Sequence, residues 1–180
     1  MVESSSRAYL RFPHVRGDVV TFVADDDVWL VPLAGGRASR LTADKTPVWS
    51  PRLSPAADMV AWTTSRNGAP EVYVSGVTDG DARRLTYWGA TRTATRGWTP
   101  DGGVLDVSEA GQPSMARTWA HALPVDGSPG RRLDYGVVDD VAYGPGGAIV
   151  TATSASYNRD PAWWKRYRGG TTAKLWIDHT

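Results

Sequence analysis

The chain has 180 residues, 41% of them apolar and 22% charged, with a formal net charge of +1. That balance suits a globular domain and argues against a nucleic-acid or anionic-membrane partner. The absence of cysteine excludes disulfides, thiolate metal sites and cysteine nucleophiles, and no run approaches the ~18 apolar residues of a membrane span.

The first residues, MVESSSRA, lack a basic start followed by an apolar run, so no secretory signal is visible. Residues 1–8 are expected to be a disordered tail, and the expected compartment is the cytoplasm. Tyr9 to Val15 reads as a first strand and Asp18 to Ala24 as a second. The Asp25-Asp26-Asp27 run between them and VWLVPL suits a solvated hairpin turn, since aspartate favours turns. It lacks the spaced oxygen ligands of a calcium loop. VWLVPL carries Trp29, Gly35-Gly36 marks a turn, and Arg40-Leu41-Thr42 follows.

The same succession then returns. A turn at Ser54-Pro55 with Asp58, a strand from Met59 to Thr63, and Tyr73 in EVYVSG lead to Arg84-Leu85-Thr86. Thr99-Pro100-Asp101-Gly102 and Trp119 in TWAHAL lead to Arg132-Leu133-Asp134. Gly144-Pro145-Gly146-Gly147, a strand from Ala148 to Thr153 and Trp176 in KLWIDH form a last, shorter unit. Pro55, Pro100 and Pro145 lie 45 apart; Leu41, Leu85 and Leu133 lie 44 and 48 apart; the aromatics lie 44, 46 and 57 apart.

A period of about 45 residues is that of one four-stranded propeller blade. The fold class expected is therefore all-β: a β-propeller of four-stranded antiparallel blades. Four are expected, at about 9–42, 47–86, 92–134 and 137–180. The fourth reads as only three strands, so the chain is expected to be a fragment with an incomplete propeller, rather than one whose Tyr9 to Val15 completes the last blade. The spacing of 57 implies an insertion, Asn158 to Gly170. The strands are apolar on both sides, as sheets sandwiched between neighbours should be, and no long helix is expected.

Strands of a blade alternate in direction. Loops joining second to third strands therefore share a face with the loops joining one blade to the next. The insertion is of the first kind, with Trp163, Trp164, Lys165, Arg166, Tyr167 and Arg168; Tyr87 to Arg96 is of the second, with Trp88, Arg92 and Arg96. Aromatic and basic residues on loops held by a rigid scaffold suit contact with a peptide or a second domain. His14, His121 and His179 all fall in strands and read as structural. No Gly-x-Ser-x-Gly elbow is present. Gly35-Gly36 and Gly146-Gly147 open no helix and so hold no phosphate. No catalytic residue, metal or cofactor is expected.

The unit "W-S-P … strand … aromatic strand … R-L-T" resembles TolB-like and tricorn-type propeller repeats. Three stretches are similar to the tricorn type in particular: Gly17 to Thr42, Arg83 to Gly102 with RRLTYWG and GWTPDG, and WWKRYRGGTTAKLWID from Trp163 to Asp178. The resemblance implies the front of a larger serine protease. Such proteases begin with a six-bladed propeller, followed by a seven-bladed one, a PDZ-like domain and the catalytic core domains. It implies a large homo-oligomer, oligopeptide substrates, and a catalytic serine and histidine beyond this stretch. It also implies that basic residues after the Leu-Thr-Tyr segment anchor a peptide's C-terminal carboxylate, which here leaves Arg92 and Arg96, without an adjacent arginine pair. The substrate-binding candidates are thus Arg92, Arg96, Trp164, Lys165, Arg166 and Arg168. The alternatives are a TolB-like protein-binding propeller without enzymatic activity, or the propeller cap of a prolyl-oligopeptidase-like enzyme.

Overall fold

The computed structural model describes residues 9–113, 117–153 and 173–178. Among them the only helical element is a 3-10 turn at Pro145–Gly147. The rest is a β-propeller of antiparallel blades. The first blade holds β1 (Arg11–Arg16), β2 (Val19–Ala24), β3 (Asp27–Pro32) and β4 (Ser39–Arg40), hydrogen-bonded in that order. The second holds β5 (Val48–Leu53), β6 (Met59–Thr64), β7 (Glu71–Gly76) and β8 (Arg83–Arg84). The third holds β9 (Thr93–Trp98), β10 (Val104–Ser108), β11 (Trp119–Leu123) and β12 (Arg131–Val137). The fourth shows β13 (Asp140–Tyr143), β14 (Ile149–Thr153) and β15 (Lys174–Asp178).

The recurring sequence marks have structural causes. In the turn after β5, Ser54 Oγ accepts from the Met59 amide at 3.0 Å and donates to Asp58 Oδ1 at 2.6 Å. Thr99 does the same work after β9, accepting from the Gly103 amide at 2.9 Å. A hydroxyl before proline thus adds a side-chain bond to a hairpin that the backbone also closes, Ser54 N–H on the Met59 carbonyl at 2.9 Å and Thr99 N–H on the Gly103 carbonyl at 2.8 Å. Gly144 has no hydroxyl, and its turn has the backbone bond alone, to the Ala148 carbonyl at 2.7 Å. Between β2 and β3, Asp25 and Asp26 take φ of 50° and 61°, the two-residue hairpin geometry that suits the twist of the strands.

Asp27 departs from the expectation of a solvated turn. It begins β3 and is 1% exposed. The Thr42 hydroxyl donates to its Oδ1 at 2.7 Å, and the same hydroxyl accepts from the Val28 amide at 3.0 Å. Glu71 and Thr86 repeat this in the second blade, where the Val72 amide donates to Thr86 Oγ1 at 2.9 Å. The threonine of Arg-Leu-Thr therefore ties the last strand of a blade to the start of its third.

Each strand sends alternate side chains to the blade before and the blade after, which is the pleat's period of two. The core is accordingly divided into three seams. Val23, Val28, Leu30, Val48, Leu53, Val60, Trp62 and Tyr73 fill the first. Ala61, Val72, Val74, Leu85, Val104 and Leu123 fill the second, and Leu105, Val107, Ala120, Ala122, Leu133, Val138 and Val141 the third. Burying each large aliphatic side chain stabilises by roughly 1.5–3 kcal/mol.

The first strands β1, β5, β9 and β13 touch one another in succession, so they are the innermost and face the axis. Three of them are bulged: the ladder slips between Arg11 and His14, between Trp49 and Arg52, and around Arg96. Two of these bulges contain Pro13 and Pro51. Proline and bulges are devices that stop an edge strand from pairing further, and here they keep the inner strands apart.

Candidate functional site

A cavity of about 270 Å³ touches all four inner strands. His14 and Arg16 reach it from β1, Leu53 from β5, Arg96 to Trp98 from β9 and Val141 to Tyr143 from β13. A second cavity of about 340 Å³ runs on from it past Arg52, Arg96 and Asp140. The axial wall is thus basic: Arg16, Arg52 and Arg96 stand against Asp140.

Arg52 and Arg96 are held by neighbours on both sides. The Arg52 Nε–H donates to the Arg96 carbonyl at 3.1 Å, and the Trp98 indole N–H donates back to the Arg52 carbonyl at 3.0 Å. Burial pulls the Arg52 guanidinium below its ordinary value; Asp140 opposes that and Arg96 adds to it. His14 accepts from the Leu53 amide through Nδ1 at 3.1 Å, which requires a neutral imidazole. Burial, then Arg52 and Arg16, lower its pKa to about 4. This corner of the wall therefore presents guanidinium charge and neutral histidine, a surface suited to carboxylate or another oxyanion.

The sequence candidates are separated by the structure. Arg92 lies in the inter-blade loop, 3.7 Å from Asp139. Arg96 is in strand β9 rather than in that loop, because the strand begins at Thr93. Its Nε is 3.7 Å from Asp140, and it is the extra residue of the β9 bulge, since Asp106 pairs with Thr95 and Leu105 with Gly97. Both arginines thus reach the fourth blade, through neighbouring aspartates. Trp164, Lys165, Arg166 and Arg168 lie outside the described residues, as do the tail 1–8, the insertion 158–170 and His179.

The loop between the second and third blades is secured by residues that sequence reasoning passed over. Glu71, 1% exposed, accepts from the Gly89 amide at 2.8 Å and from Arg84 at 3.1 Å. Glu109, 7% exposed, accepts from the Thr91 amide at 2.9 Å and from its hydroxyl at 2.6 Å. Arg84 also lies over the Tyr87 ring at 4.2 Å, and Trp88 packs on His121 at 4.8 Å between ring centroids. A glutamate two residues before an aromatic in EVYVSG was the available signal.

The aromatic series also needs one correction. Phe22 pairs across strands with Trp29, and Trp62 with Tyr73. The corresponding pair in the third blade is Asp106 with His121. Trp29, Tyr73 and His121 in turn oppose Arg40, Arg84 and Arg132. Trp119 is on the third strand of its blade but two residues off that register.

Residues 7–180 match the family model described as the tricorn protease N-terminal beta propeller domain. The chain belongs to this family. It is 56% identical over 178 residues to Tricorn protease homolog 1 of Streptomyces coelicolor, across 99% of this chain and 16% of that protein. The tricorn propeller chain thus spans about a sixth of that relative. It superimposes on the crystal structure of the tricorn protease with a TM-score of 0.80 at 25% identity, covering 95% of this chain and 17% of the other. TolB from Acinetobacter baumannii matches with a TM-score of 0.68 at 18% identity, over 96% and 41% of the two chains; that likeness is one of fold. Among the described residues no helix is long and apolar enough to cross a membrane.

Proposed function

We propose that this chain is a non-catalytic propeller segment of a tricorn-like serine peptidase that degrades oligopeptides. Its blades, at about 9–42, 47–86, 92–134 and 137–180, form part of the wall of a substrate channel or gate and a scaffold for the enzyme. The parent is a cytoplasmic homo-oligomer, and the catalytic serine and histidine are supplied outside this stretch. No cofactor, nucleic acid or membrane enters this reading.

The observation that carries it is the axial cavity, touched by all four inner strands and lined by Arg16 and Arg96, with Arg52 beside it. A peptide threading the axis brings a carboxylate end, and the partly exposed guanidiniums attract it. Arg92 at the inter-blade loop and the sequence candidates Trp164, Lys165, Arg166 and Arg168 are proposed as further peptide contacts.

The test is kinetic. The full-length gene product should cleave short peptides, and a serine-directed inhibitor should abolish the activity. Replacing Arg52 and Arg96 together by Gln should raise KM for peptides with a free carboxyl end while leaving kcat near its starting value, the pattern of lost binding before chemistry. Absence of any peptidase activity would favour the TolB-like binding module instead. Equal kinetics in the double variant would remove the channel role.

A further inference from the structure

In the seam between the second and third blades, an ionisable pair stands where the first two blades carry aromatics. Asp106 on β10 is 0% exposed and His121 on β11 is 7% exposed. Their Oδ1 and Nδ1 atoms are 3.6 Å apart, and neither has a hydrogen-bond partner among the described residues. A buried ion pair is often no better for stability than apolar residues of the same volume. The aromatic pair of the second blade, Trp62 and Tyr73, stacked at 6.2 Å, shows what a purely structural solution looks like at this register.

The pair also has an outlet. His121 carries the Trp88 ring on its face, and Trp88 belongs to the loop that runs to Arg92. We infer that the Asp106–His121 pair is a protonation-controlled joint that sets the position of loop 87–92 through Trp88. In the resting unit each side chain is uncharged, and the neutral imidazole packs against Trp88. A further proton makes the unit cationic in a seam whose other carboxylate, Glu71, already accepts from Arg84, Thr86 and Gly89, and the loop is displaced.

The charged neighbours fit this assignment. Arg96 on β9 and Glu71 on β7 act on Asp106, and Arg132 on β12 acts on His121. Burial pushes the Asp106 carboxyl well above the usual carboxylate range, against Arg96 and with Glu71. Burial and then Arg132 bring His121 down to about 4. Both directions favour the uncharged form of each side chain, and the two titrate as a coupled pair rather than as separate residues. The joint does not require that the axial passage carry peptide.

Two measurements on the full chain test it. Nitrogen-15 spectra of His121 should show a neutral ring at about pH 5, where a free imidazole with its ordinary value of about 6.5 is mostly charged. Hydrogen exchange at Gly89 and Thr91, corrected for intrinsic rates and compared with amides of β10, should then lose protection by about tenfold per pH unit once His121 begins to titrate. The double variant Asp106→Trp with His121→Tyr installs the second blade's pair and should remove that step. If circular dichroism shows the double variant unfolded, His121→Phe is read in the same way. A charged His121 ring at about pH 5, or an unchanged exchange step in the folded variant, overturns the inference.

Discussion

Thr42 Oγ1 lies 2.7 Å from Asp27 Oδ1 and 3.0 Å from the Val28 amide, so one hydroxyl serves as donor and acceptor inside the first blade. It satisfies a carboxylate that is almost wholly buried and an amide at the start of β3. The Arg40 guanidinium, 3.7 Å from Asp27 Oδ2, supplies the balancing charge from the outer strand.

Removing the equivalent hydroxyl of the second blade, that of Thr86, should therefore be expensive for so small a change. Thr86→Val strands a Glu71 oxygen and the Val72 amide in the second blade, and each unsatisfied buried group costs about 1–3 kcal/mol. Thr86→Ser keeps the hydroxyl and should lose much less. Urea unfolding of the two variants checks the difference; equal midpoints would show that the hydroxyl is not the fastening.

Core truncation should report on one seam at a time. Leu53 is 1% exposed in the first seam, so Leu53→Ala should destabilise by about 2–5 kcal/mol. Hydrogen exchange should speed up most in β5 and β6 and least in β14. Uniform acceleration along the chain would show that the seams do not behave separately.

His14 should give the chain an acid limit. Its folded pKa is lowered to about 4 from the ordinary 6.5. The unfolded state therefore takes up a proton below about pH 6.5 that the folded state refuses, and stability falls as pH drops from there towards 4. Replacement by Gln, which can still accept from the Leu53 amide but does not titrate, should flatten that part of the profile. A thermal-melt series against pH with the same slope in both proteins would contradict it.

The hairpin of the first blade is specified by its backbone. Asp25 has φ of 50°, and a β-branched residue in the left-handed region costs roughly 1–2 kcal/mol. Asp25→Val should lower the melting temperature, and Asp25→Asn should leave it near its starting value. A valine variant as stable as the parent would mean that the turn rearranges freely.

The blade architecture was legible because its marks recur: proline-bearing turns, Arg-Leu-Thr ends and aromatic strands each keep the 45-residue step. The site was less so. Arg96 read as a loop residue because a bulge and a strand start leave no pattern in one copy of a repeat. Glu109 and Asp106 carry no local motif, Glu71 only its place before the aromatic of EVYVSG, and their roles come from pairings across strands and blades. Trp119 shows the limit of counting: a spacing of 46 looked regular, whereas the ladder places His121 at the aromatic position. An irregular β12 ladder, slipping between Trp119 and His121, hid the offset.

The three apolar clusters are distinct, each shared by adjacent sheets only. Such a molecule loses order as a linear array does, one junction after another, with strain passed to the next neighbour and no central mass to absorb it. The middle junction carries polar fastenings as well as apolar ones, Thr63 to Thr95 and Arg52 to the Arg96 carbonyl, so parting it means breaking hydrogen bonds that the neighbouring sheets cannot replace.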